Sequence, residues 1–167
     1  QHVNDLLDIY LISKCEFLIT TAMGLDMVAK VCRKPIVTVN LCPFGILEYW
    51  ANKHFMIFKK YFCNNKNKYL TISEIFDNKS AFFSETSHFK KNNIKLVDNT
   101  PEEILDVTKE CIDYLFKNKI KENNLYQNKF WNIYLSKRKL IAPRFYNKDL
   151  NCMINEKFLI KNKNLIE

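Results

Sequence analysis

Near the start of the chain, short apolar runs alternate with a segment whose apolar residues recur at helical spacing. Residues 16–21 and 36–40 are apolar runs, the second rich in β-branched side chains, and both are typical of buried strands. Between them the apolar positions follow a helical period, and Pro35 ends that helix. The pattern therefore predicts a β–turn–α–β unit, which builds parallel sheets.

Weaker patterns predict the remaining elements. Thr100, Pro101 and Glu103 form a helix start, because a Thr cap and a Glu three residues later satisfy free backbone N–H groups, while Pro suits the first helical position. Residues 3–14 have helical spacing, with one apolar face made of Val3, Leu6, Leu7, Tyr10 and Leu11. We further expect a loop at 41–45, short helices at 46–51 and 71–76, a strand within 54–62, a loop at 77–93, a strand at 94–97, a helix through 130–134 and an amphipathic segment at 152–166.

These elements predict an α/β fold. Three or four strands with helices between them correspond to half of a doubly wound sheet. We expect a Rossmann-like domain over residues 1–117, with a parallel sheet flanked by helices, and a helical C-terminal tail over residues 118–167. Because the sequence starts inside a helical pattern, we also expect an N-terminal domain upstream in the same protein.

The charge of the chain invites a nucleic-acid interpretation, which the residue types disfavour. The net charge is +8, from 26 Lys and Arg against 18 Asp and Glu. Arg stands only at positions 33, 138 and 144, although its planar donor pair suits base edges and phosphates best. The Lys residues are scattered and rise together with Asn, which indicates coding bias. We therefore expect no nucleic-acid partner, while weak contact with an anionic membrane surface stays open.

The six cysteines give no sign of a metal site. They lie far apart without a C-x-x-C pair, whereas zinc ligands are usually paired at short spacing. Several stand among apolar residues, where Cys behaves as a small hydrophobe. No apolar run is long enough for a transmembrane helix. We expect reduced thiols in a cytoplasmic protein, with peripheral contact at the inner face of the membrane as an option.

The two glycines mark candidate ligand-binding turns. Gly24 and Gly45 each follow a predicted strand and precede a predicted helix, and ligands of open α/β sheets bind outside the carboxyl ends of strands. Glycine there permits positive φ or close backbone approach, and a helix start offers N–H groups to an anion. Residues 21–26 are thus a candidate phosphate site. The same pattern fits a simple tight turn at Gly24 with Thr21 as a helix cap equally well.

Longer segments resemble a family of bacterial glycosyltransferases linked to surface polysaccharides. The resemblance covers most of the chain through short motifs. They are DIYLIS at 8–13, FLITTAMG at 17–24, RKPI at 33–36, NLCPFG at 40–45, YLT at 69–71, LVDNTPEEI at 96–104 and the closing segment 158–167.

This resemblance implies a GT-B architecture, in which two Rossmann-like domains face a cleft and the carboxy-terminal one holds a nucleotide-sugar donor. The chain would be that second domain and its tail, serving sugar transfer to a cell-surface polysaccharide or glycolipid. The family generally works without a metal or other cofactor, and no D-x-D motif contradicts this. The turn at 21–26 would stabilise the diphosphate leaving group, and the catalytic base would lie upstream, so none is assigned. The donor-binding residues implied are Thr20, Thr21, Ala22, Met23, Gly24, Leu25, Asp26, Asn40, Pro43, Phe44 and Gly45.

Two residues depart from the pattern of the family. Met23 is bulky where family members carry small residues. Asp26 is the only carboxylate near the place where related enzymes often hold the ribose with a glutamate, and it also suits a purely structural role at the helix start. Outside these motifs, His54 and His88 are candidate proton carriers or structural residues. Glu48, followed by two aromatic residues, is a candidate sugar platform.

Two other functions fit the same observations. A nucleotide-sugar epimerase of this architecture would need acid and base carboxylates in the cleft. A non-catalytic binding or scaffold protein of a surface-polysaccharide locus would carry a decayed donor site, which Met23 and the missing glutamate allow. Nucleotide binding would favour either enzyme over the scaffold.

Overall fold

The chain forms two β-sheets with α-helices packed around them, and the computed structural model describes residues 5–22, 24–48, 53–117, 125–141 and 151–166. The strands are β1 Leu18–Thr20, β2 Ile36–Leu41, β3 His54–Phe58, β4 Lys60–Cys63, β5 Lys68–Tyr69, β6 Ile94–Val97 and β7 Cys152–Ile154. The α-helices are α1 Asp5–Lys14, α2 Asp26–Val31, α3 Ile72–Asp77, α4 Thr86–Lys91, α5 Pro101–Lys117, α6 Leu125–Ile141 and α7 Glu156–Lys161. Single 3-10 turns occupy Phe44–Ile46, Ser80–Phe82 and Lys163–Leu165.

The larger sheet is parallel, as predicted, and has the strand order β1-β2-β3-β7. Helices cover both faces: Ala29 of α2 packs with Ile36 on one face, and on the other the ring of Tyr114 in α5 lies 5.4 Å from that of Phe55. The β-branched residues of β2 are therefore buried on both sides, which explains their continuous apolar run. The result is an α/β fold compatible with a Rossmann-like domain. The described strands of this sheet lie side by side in the order in which they occur along the chain.

The segment after residue 117 contributes a strand, whereas a wholly helical tail was predicted. Strand β7 pairs with β3, with Met153 opposite Phe55. From α6, Gln127 donates a hydrogen bond to the carbonyl of Ile154. Residues on both sides of position 117 therefore share one hydrophobic core.

The smaller sheet is antiparallel and was not predicted. Strand β4 lies between β5 and β6, and only Lys59 separates it from β3. The predicted strand at 94–97 is confirmed as β6, but it joins this sheet rather than the parallel one. The predicted loop at 77–93 contains α4 and the turn Ser80–Phe82, and since Phe89 is the buried residue of α4, that helix has little periodic signal.

Two further predictions were wrong in their details. The predicted apolar face of α1 is exposed, with Leu6, Leu7, Tyr10 and Leu11 all at least half accessible, while Ile12 is the buried residue. Val3 lies outside the described residues. The predicted helix at 46–51 is only a 3-10 turn that ends at Ile46, and residues 49–51 lie outside the described part.

The predicted start of α5 is confirmed as a capping box. The Thr100 hydroxyl accepts a hydrogen bond from the Glu103 N–H at 3.3 Å, and the Glu103 carboxylate accepts one from the Thr100 N–H at 2.9 Å. Glu103 is also buried and receives a hydrogen bond from Lys60 of β4 at 2.9 Å. This carboxylate therefore joins the smaller sheet to the helix that covers the larger one.

Candidate functional site

The turn after β1 is strained at Ala22 rather than at its glycine. Ala22 has a φ of 62°, which residues with a Cβ rarely adopt, whereas neither glycine has a positive φ. A Cβ built on Gly24 would meet no atom within 4 Å. Gly24 therefore does not adopt the positive φ that was expected, and close approach of a ligand to its backbone stays a prediction. Met23 lies outside the described residues, Thr20 is half-buried, and Thr21 and Leu25 are exposed.

Asp26 belongs to a partly buried ion-pair cluster. Its carboxylate accepts a hydrogen bond from Lys30 at 2.9 Å, and the same ammonium contacts Glu48. Burial by itself would lower the pKa of Lys30, but the hydrogen bonds to Glu48 and Asp26 outweigh burial and raise it. Because a carboxylate fills the first turn of α2, the start of this six-residue helix is poorly suited to a phosphate.

Asn40, the next-to-last residue of β2, has a left-handed backbone conformation that serves a structural role. Its φ is 52°, which Asn tolerates better than most residues. Its N–H and side-chain oxygen form reciprocal hydrogen bonds with Asn99, at 2.7 and 2.6 Å. Asn99 in turn donates to the carbonyl of Phe58 at the end of β3. These contacts fix the carboxyl ends of two parallel strands against the start of α5.

Phe44 and Gly45 face the core rather than a ligand, which corrects the sequence expectation. The Phe44 ring has no accessible surface and lies 4.7 Å from the ring of Phe58 and 5.3 Å from that of Tyr134. The carbonyl of Gly45 accepts a hydrogen bond from Arg138. Pro43 is half-buried beside them. In this structure the loop therefore anchors α6 through Phe44 and Gly45.

Gly45 and Gly24 form a matched pair for a stability test. A Cβ on Gly45 would lie 2.8 Å from the Ala81 carbonyl oxygen and 2.6 Å from the Phe82 ring, so we expect Gly45→Ala to lower the free energy of unfolding by about 1–3 kcal/mol. Gly24→Ala should raise the free energy of unfolding by about 0.4–1 kcal/mol, because Ala restricts the backbone conformations of the unfolded chain and fits the folded one without a clash. Urea denaturation measures both. Equal effects at the two sites would contradict this difference in packing.

A cavity of about 850 Å³ lies beyond the carboxyl ends of β1 and β2, against β6 and α4. We name it the lysine cleft. Its volume is in the range of small-molecule sites. Its lining includes Thr21, Asn40, Lys59, Thr86, Lys90 and Lys95. Thr21 and Asn40 are thus brought together at one edge of the parallel sheet, as the sequence predicted, beside residues that the sequence interpretation left unassigned.

The lysine cleft is positively charged. Its lining contains three Lys and a single acid, Asp98, whose carboxylate pairs with Lys59 at 2.7 Å. Lys90 and Lys95 are exposed and form no ion pair with any residue that the structure describes. Two ammonium groups are therefore available to an anionic ligand, and the side chains of Thr21 and Thr86 can add hydrogen bonds.

A smaller cavity of about 150 Å³ is lined by residues of α2, β2 and β3. Its lining includes Ala22 and Leu41, which are next in the chain to residues that line the lysine cleft. We name it the His54 cavity, because the buried side chain of His54 lines it. Nε2 of His54 lies 2.7 Å from the Thr38 hydroxyl, whereas Nδ1 completes no hydrogen bond of normal geometry with the described residues. Burial and, next, the Lys30 ammonium lower the pKa of His54 to about 4, although the nearby backbone of Glu48 counters part of this. The imidazole is therefore neutral at physiological pH.

The cysteines are all free, as predicted. Cys42 lines the lysine cleft, where burial raises the pKa of its thiol despite a hydrogen bond with Tyr61, so it is a poor nucleophile. Among the described residues, no group of three or more His, Cys, Asp or Glu is placed to hold a metal ion. The expectation that no metal or other cofactor is needed stays a prediction.

Comparison with models of known families, with curated proteins and with solved structures gives no match to this chain. The geometry alone must therefore carry a functional argument. Within the described ranges, no helix has the length and apolar character needed to cross a membrane.

The structure divides the predicted site residues into three groups. Thr21 and Asn40 line the lysine cleft, and Ala22, Gly24 and Asp26 line the His54 cavity. The remaining described ones, Thr20, Leu25, Pro43, Phe44 and Gly45, line neither cavity. The candidates missed from the sequence are Lys59, Lys90 and Lys95, which no local motif distinguishes from the other basic residues.

Proposed function

We propose that this chain is the donor-binding portion of a glycosyltransferase, in which the lysine cleft holds the diphosphate of a nucleotide-sugar. The observation that carries the proposal is that Lys90 and Lys95, which have no ion-pair partner among the described residues, line the same cavity as the carboxyl ends of two adjacent parallel strands. Ligands of open α/β sheets bind at this edge, and a diphosphate is the anion that two nearby lysines suit.

The diphosphate is placed in the cleft rather than in the turn at 21–26. The turn presents a carboxylate, Asp26, whereas the cleft presents a net positive lining and begins at Thr21. A nucleoside diphosphate also needs more room than the smaller cavity offers. The exposed Thr21 hydroxyl then contacts the phosphates from the strand side, and Lys90 and Lys95 contact them from the opposite wall.

The chemistry proposed for the cleft is stabilisation of the leaving group. When the bond from the sugar to the diphosphate breaks, negative charge develops on the diphosphate oxygens. Ammonium groups at Lys90 and Lys95 would stabilise this developing charge more than they stabilise the ground state. The GT-B architecture, the upstream domain with its catalytic base, the polysaccharide or glycolipid acceptor and a cytoplasmic location at the inner membrane face belong to the same proposal.

Nucleotide titration tests the cleft. We expect one of UDP, GDP, CDP, TDP and ADP to shift the amide NMR signals of Thr21 and of β6. Lys90→Glu and Lys95→Glu should each weaken that binding at least about tenfold, because each replaces an attraction by a repulsion. The matched control is Lys91→Glu, which changes the same charge on the same helix outside the lining and should stay within about twofold.

The outcomes separate the alternatives. No binding by a folded sample, or equal losses for Lys90→Glu and Lys91→Glu, would contradict the proposed donor site. Binding followed by conversion of a nucleotide-sugar into its epimer would favour the epimerase instead. Binding without turnover, even when the upstream domain is supplied, would favour the scaffold protein.

A further inference from the structure

The His54 cavity places a buried imidazole among polar and apolar side chains. His54 is 4% exposed and lines the cavity, yet its Nδ1 completes no normal hydrogen bond with the described residues. A buried polar atom without a partner is destabilising, so each such atom calls for an explanation, and a ligand that binds there is one.

The charges around the cavity exclude an anion and disfavour a cation. Asp26 and Glu48 both line it, so an anionic ligand would be repelled. Lys30 already bridges these two carboxylates, and an incoming cation would have to compete with its ammonium. A neutral ligand with hydrogen-bonding groups is therefore favoured.

The chemistry of His54 points to hydroxyl groups. Its neutral imidazole presents Nδ1 either as an acceptor or as an N–H donor, depending on which way the hydrogen bond with Thr38 runs. A hydroxyl group can both donate and accept, so it satisfies Nδ1 in either tautomer. The carboxylates of Asp26 and Glu48 are acceptors for further hydroxyl hydrogens.

The remaining lining suits the carbon face of a ring. Met27, Leu41, Ile46 and Met56 supply apolar surface. Met27 and Ile46 are about half exposed, so they form the mouth, whereas Leu41 and Met56 are buried. At about 150 Å³ the cavity is smaller than a typical drug-sized site and admits one small ring.

From these observations, we propose that the His54 cavity is a binding site for one neutral, hydroxyl-bearing ring, a monosaccharide unit. Nδ1 of His54 and the carboxylates of Asp26 and Glu48 hold its hydroxyl groups, and the apolar residues contact its C–H face. This site does not require the lysine cleft to bind a nucleotide. The two cavities are lined by consecutive residues, Thr21 and Ala22, so where both are occupied the ring is the sugar of the donor or a unit of the acceptor.

Histidine side-chain NMR tests this site directly. The probes are glucose, galactose, mannose and N-acetylglucosamine, each titrated into the whole chain with ¹⁵N-labelled imidazoles. We expect one sugar to move the Nδ1 signal of His54 and to leave that of the exposed His88 unchanged. Inorganic phosphate, as the anionic probe, should leave His54 unchanged.

A pair of tryptophan variants provides the control for folding. Met27→Trp fills the mouth of the cavity at an exposed position, so the protein should fold and bind the sugar at least about tenfold more weakly. Val31→Trp adds the same side chain to the same helix at an exposed position outside the lining, and it should leave binding unchanged.

The outcomes of these experiments test the His54 cavity and the lysine cleft separately. If neither a free sugar nor a nucleotide-sugar moved the His54 signal, or if the two tryptophan variants bound equally, the inference would be overturned and the cavity left to water. Sugar binding without nucleotide binding would support this site and contradict the donor site. If a nucleotide-sugar moves His54 and the free sugars do not, the ring comes from the donor, and Met27→Trp must then weaken the nucleotide-sugar but not the nucleoside diphosphate.

Discussion

Phe44→Ala is expected to lower the free energy of unfolding by about 3–5 kcal/mol, as deletion of a fully buried aromatic ring does. The ring contacts four others edge-on, those of Phe58, Phe76, Phe130 and Tyr134. These rings come from a strand and two helices that are distant in sequence, so the deletion loosens several elements at once. Guanidinium denaturation followed by far-UV circular dichroism measures the loss.

A surface variant and a conservative variant control this result. Phe116 of α5 is 64% exposed, and Phe116→Ala should change stability by no more than about 0.5 kcal/mol. Phe44→Leu should keep the protein folded, with a loss of about 1–2 kcal/mol. If folded Phe44→Leu also lost nucleotide affinity, the ring would contact the ligand after all. An effect of Phe44→Ala as small as that of Phe116→Ala would contradict its place in the core.

Glu103→Ala is expected to lower the free energy of unfolding by about 3 kcal/mol or more, because it breaks a buried ion pair and removes a helix cap together. The Lys60 side chain is only 12% exposed and would be left without its carboxylate. The Thr100 N–H would lose its acceptor as well. Glu102→Ala, an exposed change in the same turn, is the matched control and should give a much smaller loss. Similar losses for the two variants would contradict this role.

The Glu103 carboxylate also makes the free energy of unfolding depend on pH in the acid range. Burial alone would raise the pKa of Glu103, but hydrogen bonds from the Thr100 backbone and from Lys60 outweigh burial and hold it below the ordinary value. A lowered folded-state pKa means that the contribution is complete above the ordinary Glu pKa of about 4.3 and is lost as pH falls through the lowered value. Glu103→Ala should therefore differ from the parent most near neutrality and least in acid.

Local patterns in the sequence were sufficient to predict those elements whose formation depends mainly on their own residues. The β-branched run of β2 and the capping box at Thr100 and Glu103 were both predicted and confirmed, because burial on two faces and free N–H groups select residue types directly. Strand β7 was missed because only three residues form it, between Asn151 and Asn155, and its pairing with β3 depends on contacts far away in the chain.

The candidate site was predictable only in part for the same reason. Thr21 and Asn40 follow adjacent parallel strands, so topology alone brings them together. Lys90 lies on α4 and Lys95 on β6 of the antiparallel sheet, and no pattern in the sequence indicated either that helix or that sheet. The packing of Phe44 is likewise set by α6, whose position relative to the loop depends on tertiary contacts.

The pairing of β7 with β3 also has a consequence for how the nascent chain acquires its structure. Residues 59–151 are synthesised between these neighbours, so one edge of β3 stays open on the ribosome until β7 emerges. Contacts that close so long a stretch of chain form slowly. The open edge is lined by Phe55 and Met56, which are buried once the fold is complete, and exposed apolar strand edges are templates for aggregation. Until β7 is synthesised, this edge of β3 is therefore available for pairing with other chains.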